Sequence, residues 1–206
     1  LMGAGDNSGT NDYIMFQSGN KLRMSFATEA SGDIITDRVF RDPTAWTHIV
    51  VAVDTTQSTN SNRVKFYING TQETNVSGTY PDQNYQTSFN NTVVNRIGGR
   101  SYSIARLYDG YMSEINFIDG SALDASYFGE TNDDGLWIPK EYDGSYGTNG
   151  FFLEFQQTGT SQNSSGIGAD TSGNDNHYAV NALGANSPAI DTPVSYTHLR
   201  AHETRP

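Results

Sequence analysis

FRDPTAWTHIVVAVD (Phe40–Asp54) and RVKFYING (Arg63–Gly70) decide the fold class. A Trp and a His open a run of β-branched residues in the first segment. In the second, Val64, Phe66 and Ile68 alternate with Arg63, Lys65 and Tyr67, then close on Asn69-Gly70. Side chains two apart share a strand face, and Asn-Gly is a strong two-residue hairpin signal. Two strands in this order read as a hairpin of an antiparallel β-sandwich. Trp46–Asp54, apolar or β-branched on both faces, is expected to be a central strand with Trp46 in the core.

Working outward, Tyr13–Gln17 and Lys21–Ala27 form a second hairpin pattern around Ser18-Gly19-Asn20, with Leu22, Met24 and Phe26 on one face. Ile34–Phe40 is a further strand, ended by Asp42-Pro43. Gln72–Val76 returns from the Asn69-Gly70 turn, and Thr92–Gly98 and Asp109–Ile118 add two more strands. Leu1–Thr10 and Ser77–Asn91 read as polar loops. Ser121–Phe128 predicts one short helix, capped by Ser121 with Asp124 at the capping-box spacing and Gly129 as terminator. Leu136–Pro139 and Gly150–Gln156 bracket a Tyr/Gly-rich connector. Asp170–Asn176 is a turn cluster before a strand at His177–Asn181.

The totals agree with an all-β chain. Of 206 residues, 35% are hydrophobic and 12% aromatic, so large rings must build the core from few positions. The formal charge of −11 with only 12 Lys and Arg argues against a phosphate-backbone partner. It suits a cation or a neutral partner such as a glycan. With no cysteine there are no disulfides and no thiolate metal site, which fits a bacterial or viral origin. No apolar run approaches the roughly 20 residues that span a bilayer, so no membrane insertion is expected. Val194–Pro206, VSYTHLRAHETRP, holds two of the four His and differs in composition from everything before it. It resembles adapter read-through and is expected to be a non-native, disordered tail.

Taken together, FRDPTAWTHIVVAVD, RVKFYINGTQ, NRIGGR and YDGYMSEINFIDGSALDASYFGE resemble laminin-G-like, concanavalin A-like jelly-roll domains. GLWIPKEYDGSYGTNGFFLEF and DTSGNDNHYAVN extend the likeness, which covers roughly Asp12–Pro193 and is nearest to versions in proteins of marine phages and uncultured bacteria. The resemblance implies a two-sheet antiparallel jelly roll truncated at both ends. One domain would span 1–140. A segment at 141–193 would complete that sandwich or open another β domain, and 194–206 would be the tail. It also implies calcium as a candidate ligand, held by rim carboxylates and carbonyls. Asp6, Asn7, Asp109, Asp119 and Asp170 lie in or near oxygen-rich turns, as do Asp133 and Asp134. The competing reading is that such residues cap their own turns.

Sugar recognition calls for exposed aromatic faces beside Asn, Asp or Gln. Tyr80, Asp82, Asn84 and Tyr85 form one such loop, and Tyr102, Tyr108 and Tyr142 are further candidates. Glu114-Ile-Asn116-Phe-Ile-Asp119 resembles the E-x-D-x-x-E strand of sandwich-fold glucanases, but Asn116 and Asp119 replace two of its carboxylates. No catalytic residue is therefore assigned. His48 has no nucleophile motif beside it and reads as structural. The expectation is a non-catalytic recognition or structural module, carbohydrate-binding or adhesive, on a phage or virion-type surface or tail protein. Its partners would be a cell-surface glycan or other virion proteins, and its place extracellular or on the virion surface. A glycoside hydrolase and a ligand-free spacer are the alternatives.

Overall fold

The computed structural model describes residues 1–5, 11–26, 32–100 and 103–181. Strands are β1 (Met2–Gly5), β2 (Asn11–Gln17), β3 (Lys21–Ser25), β4 (Asp33–Thr36), β5 (Ile49–Val53), β6 (Val64–Ile68), β7 (Thr71–Glu73), β8 (Val76–Thr79), β9 (Val94–Ile97), β10 (Gly99–Arg100), β11 (Ser103–Leu107), β12 (Ile115–Phe117), β13 (Gly129–Thr131), β14 (Trp137–Pro139) and β15 (Phe151–Leu153). Two compact units divide them: Leu1–Gly110 with Ser121–Gly144, and Tyr111–Gly120 with the described residues from Ser145 onward.

The first unit holds a six-stranded antiparallel sheet, β8-β4-β3-β2-β1-β9, and a three-stranded one, β5-β6-β7. Register explains the core. Phe16 opposes Leu22, Ile14 opposes Met24, and Met24 opposes Ile34, so one face of the large sheet is a continuous apolar row. On the small sheet Val64, Phe66 and Ile68 are buried while Lys65 and Tyr67 face the other way. Each large apolar side chain so buried contributes about 1.5–3 kcal/mol. The Asn69-Gly70 turn forms as expected: both residues have positive φ (48° and 79°), and Ile68 pairs with Thr71 across it. That conformation is the mirror-image turn whose twist matches its strands.

Several expectations change. Trp46 is not in the core but 63% exposed. The strand begins at Ile49 instead, because Asn69 takes both backbone groups of His48: its Oδ1 accepts from His48 N at 2.8 Å and its N–H donates to His48 O at 2.9 Å. Phe26 and Phe66 fill the interior that Trp46 was assigned to. Among the described strands β5 pairs with β6 alone, so it is not central. Met2–Gly5 is a strand between β2 and β9 rather than a loop.

The expected strand Gln72–Val76 is two strands. The chain leaves the small sheet after Glu73 and joins the large one at Val76, beside β4. Gly78 sits so close to the Asp33 carbonyl that a Cβ would collide with it, which is why the polar stretch can pair there. The expected helix at Ser121–Phe128 is a single 3₁₀ turn, Ala125–Tyr127. Asp124 caps it in place of Ser121, because its carboxylate accepts from Ser126 N at 2.9 Å and Ser126 Oγ at 2.6 Å. Of Asp109–Ile118 only Ile115–Phe117 is a strand, and His177–Asn181 is not one.

In the second unit β12 pairs with β15. Phe117 stacks on Phe151 (centroids 5.3 Å apart), and Tyr178 meets Phe151 edge-on at 4.9 Å. The tail at 194–206 lies outside the described residues.

Candidate functional site

The solvent-facing side of β5-β6 carries a cavity of ≈380 Å³. Its floor is set by strand register: Ala52 on β5 stands opposite Lys65 on β6, and the small alanine leaves room above the sheet. Tyr67 lies two residues along the same face. One wall is the loop after β5, with Asp54, Gln57 and Asn62. The other is Ala122–Asp124 with Tyr127.

Each wall has a local cause. Asp54 Oδ1 accepts from Thr56 N (3.0 Å) and Thr56 Oγ1 (2.6 Å), and its Oδ2 from Gln57 Nε2 (2.6 Å). The Thr56 hydroxyl, and then Gln57, hold its carboxyl below the usual carboxylate range. Arg63 wraps the same loop, donating to the carbonyls of Gln57 (2.9 Å), Ser58 (3.1 Å) and Pro81 (2.8 Å). On the opposite wall the Asp124 cap tightens the chain into the turn that presents Tyr127, which is 48% exposed. Burial, and then the Asp124 charge, raise the Tyr67 phenol above its ordinary value. The cleft is thus a polar trough with two phenol rings, two carboxylates, two amides and one ammonium.

The residues singled out from sequence fall elsewhere. Tyr80, Asp82, Asn84 and Tyr85 do share one loop, with Asp82 and Asn84 exposed. That loop braces the cleft's wall from behind: Asn84 N donates to Thr55 O (2.8 Å), Thr55 Oγ1 to Tyr85 O (2.8 Å), and Gln83 Nε2 to Thr56 O (2.9 Å). Tyr85 turns inward, donating its hydroxyl to the fully buried Asp12 at 3.0 Å and meeting Phe26 edge-on at 5.6 Å. Tyr108 stacks on Phe16 at 6.4 Å, and Tyr142 lies against Phe128 at 5.2 Å. Tyr102 lies outside the described residues.

Of the calcium candidates, Asp6 and Asn7 lie outside the described residues, and Asp109 is exposed. Asp119 accepts from Asn149 N at 3.1 Å. Asp170 uses Oδ1 for Phe152 N (2.8 Å) and Ser172 N (2.9 Å), and Oδ2 for Asn176 N (2.9 Å). Burial pushes the Asp170 carboxyl up, yet these donors outweigh it and leave it below its usual value. Among the described residues no three His, Cys, Asp or Glu converge to hold a metal.

His48 is structural, half-buried, its Nδ1 accepting from Trp137 Nε1 at 3.1 Å; burial lowers its pKa. In the glucanase-like segment, Asn116 Oδ1 accepts from the Tyr146 hydroxyl at 2.7 Å. Burial, and then the charge of Glu154, raise the Glu114 carboxyl. Glu154 was not foreseen as a neighbour of Glu114. β12–β15 pairing places it there.

Comparison with known families settles the lineage. The family model Laminin_G_3, described as the concanavalin A-like lectin/glucanases superfamily, matches residues 1–127. The chain belongs to that superfamily. No curated protein and no solved structure matches it. Superfamily membership supports a carbohydrate-binding or glucanase-like module, and the antiparallel sheets of the first unit are those of a concanavalin A-like β-sandwich. Both cleft walls fall within the matched residues. Among the described residues no helix is long and apolar enough to cross a membrane.

Sequence reasoning missed the cleft. The outward alternation of Lys65 and Tyr67 was legible, but Asp124 and Tyr127 join them only through tertiary folding.

Proposed function

We propose that this chain is a non-catalytic carbohydrate-recognition module and that its glycan lies in the β5-β6 cleft. The observation that carries the reading is the cleft itself. Its ≈380 Å³ falls within the roughly 300–1,000 Å³ of small-molecule sites. Its lining mixes phenol rings with amides and carboxylates. Rings offer a flat apolar face to a pyranose, and the polar groups bond its hydroxyls. The resemblance to phage-type sequences supports a further step: the module sits on a surface or tail protein of a phage or similar particle and attaches it to cell-surface glycan.

A glycan array, run with calcium and with chelator, tests the reading. Binding without release of reducing sugar is expected. Tyr127→Ala should weaken binding by about tenfold or more, as for an aromatic anchor that its ligand covers. Loss of no affinity in that variant overturns the assignment of the cleft. One observation favours the hydrolase alternative, the proximity of Glu114 to Glu154, since glycosidases use two carboxylates with separated pKa values. Sugar release abolished by Glu114→Gln would establish that alternative and refute the non-catalytic reading.

A further inference from the structure

We propose that the cleft selects a saccharide bearing an anionic group, a carboxylate or a sulfate ester, and that Lys65 is the residue that reads it. The proposal rests on the carbohydrate reading above and adds the ligand's charge.

Both oxygens of Asp54 are occupied, by the Thr56 amide and hydroxyl and by the Gln57 amide. One oxygen of Asp124 is occupied by Ser126. By contrast Lys65 makes no ion pair and no hydrogen bond among the described residues, although two carboxylates line the same cleft. Elsewhere Lys21, Arg23 and Arg38 each pair with a carboxylate. The hydroxyls of Tyr67 and Tyr127 and the amide of Asn62 are likewise unpartnered among the described residues. What the cleft offers is therefore mainly donors: three from the ammonium, one from each phenol and two from the amide. Acceptor-rich oxyanions suit such a set, and a charge-assisted bond is about twice as strong as a neutral one.

Local charge permits this in a chain of net charge −11. Arg63 is held by three carbonyls rather than by a carboxylate, so its charge remains beside that of Asp54. With Lys65 it balances the formal charges of Asp54 and Asp124, so an anion approaching Lys65 meets no net excess of negative charge from these four groups.

The test is calorimetric titration with three probes: an oligogalacturonate, a sulfated galacto-oligosaccharide and a neutral gluco-oligosaccharide, each at low and high salt. An anionic probe should bind best, and its affinity should fall with salt. Lys65→Met should weaken it by about tenfold to a hundredfold, the range for one lost charged bond. Lys65→Arg should restore most of the affinity. Which anionic probe binds separates carboxylate from sulfate. Equal binding of the neutral probe, unchanged in Lys65→Met, overturns the inference and leaves the carbohydrate reading standing. Failure of all three probes overturns both.

Discussion

Removing one oxygen atom, in Tyr85→Phe, tests how the cleft is held. The ring keeps its edge-on contact with Phe26, so packing is conserved and only the hydrogen bond to Asp12 is lost. Asp12 is fully buried, and Ser88 N also donates to it, at 2.5 Å on the other oxygen. A hydrogen bond to a charged group contributes about 1.5–3 kcal/mol, and a buried carboxylate that loses a donor is at the upper part of that range. We expect a loss of about 2 kcal/mol. With m of about 2 kcal/mol/M this moves the urea midpoint down by about 1 M. The tyrosine also anchors the loop whose neighbours Asn84 and Gln83 hold Thr55 and Thr56, so glycan affinity should fall as well. In an Asp12→Asn background the same change should cost about 1 kcal/mol, since a neutral acceptor is being lost. An effect below about 0.5 kcal/mol, or one equal in both backgrounds, would refute the idea that this buried charge-assisted hydrogen bond braces the cleft.

Gly70→Ala should destabilise by more than the roughly 1–2 kcal/mol of a left-handed alanine, because φ is 79° and the new Cβ lands in the Trp137 ring. Trp137→Leu should absorb part of that cost in a double-mutant cycle on urea midpoints. Burial lowers the His48 pKa below 6.5, so the unfolded chain binds more protons just below that value. Stability should be full above pH 6.5, fall as pH drops below it, and level off beneath the folded pKa. Melting midpoints against pH should lose this step in His48→Gln, and a persisting step would assign it elsewhere. Asp170, whose carboxyl is lowered from 3.8, should add a second loss only below about pH 4. Asp170→Asn should remove that acid step while lowering stability at neutral pH.

What could be read from the chain was whatever short-range chemistry fixes. The β6 face follows from alternation alone, and the turn after it from Asn-Gly, because those signals act between residues that touch. Trp46 failed for the same reason in reverse. Its hydrophobicity argued for the core, but strand pairing is set by partners, and Asn69 withdraws the His48 backbone from the ladder before Trp46 is reached. The switch between sheets at Thr74-Asn75 carries no composition signal either, since the residues of β7 and β8 are alike in polarity and only their partners differ.

The candidate site shows the sharper version of that limit. Aromatic and polar residues adjacent in sequence, as at Tyr80, Asp82, Asn84 and Tyr85, look like a sugar-binding loop, and local reasoning can see no further. The hydroxyl of Tyr85, however, is drawn to a carboxylate 73 residues away. That bond gives the loop a supporting role behind the cleft, while Asp82 and Asn84 stay exposed. The cleft assembles from the outer face of β6 and a turn about sixty residues later, and Asp124 serves both as cap and as wall. A capping aspartate would be chosen at this position whether or not a ligand exists. Lys65 makes no such structural bond among the described residues, and the proposal rests on it for that reason. The signal we propose is thus not the residues that sequence makes conspicuous, but one whose bonding capacity the described structure leaves unused.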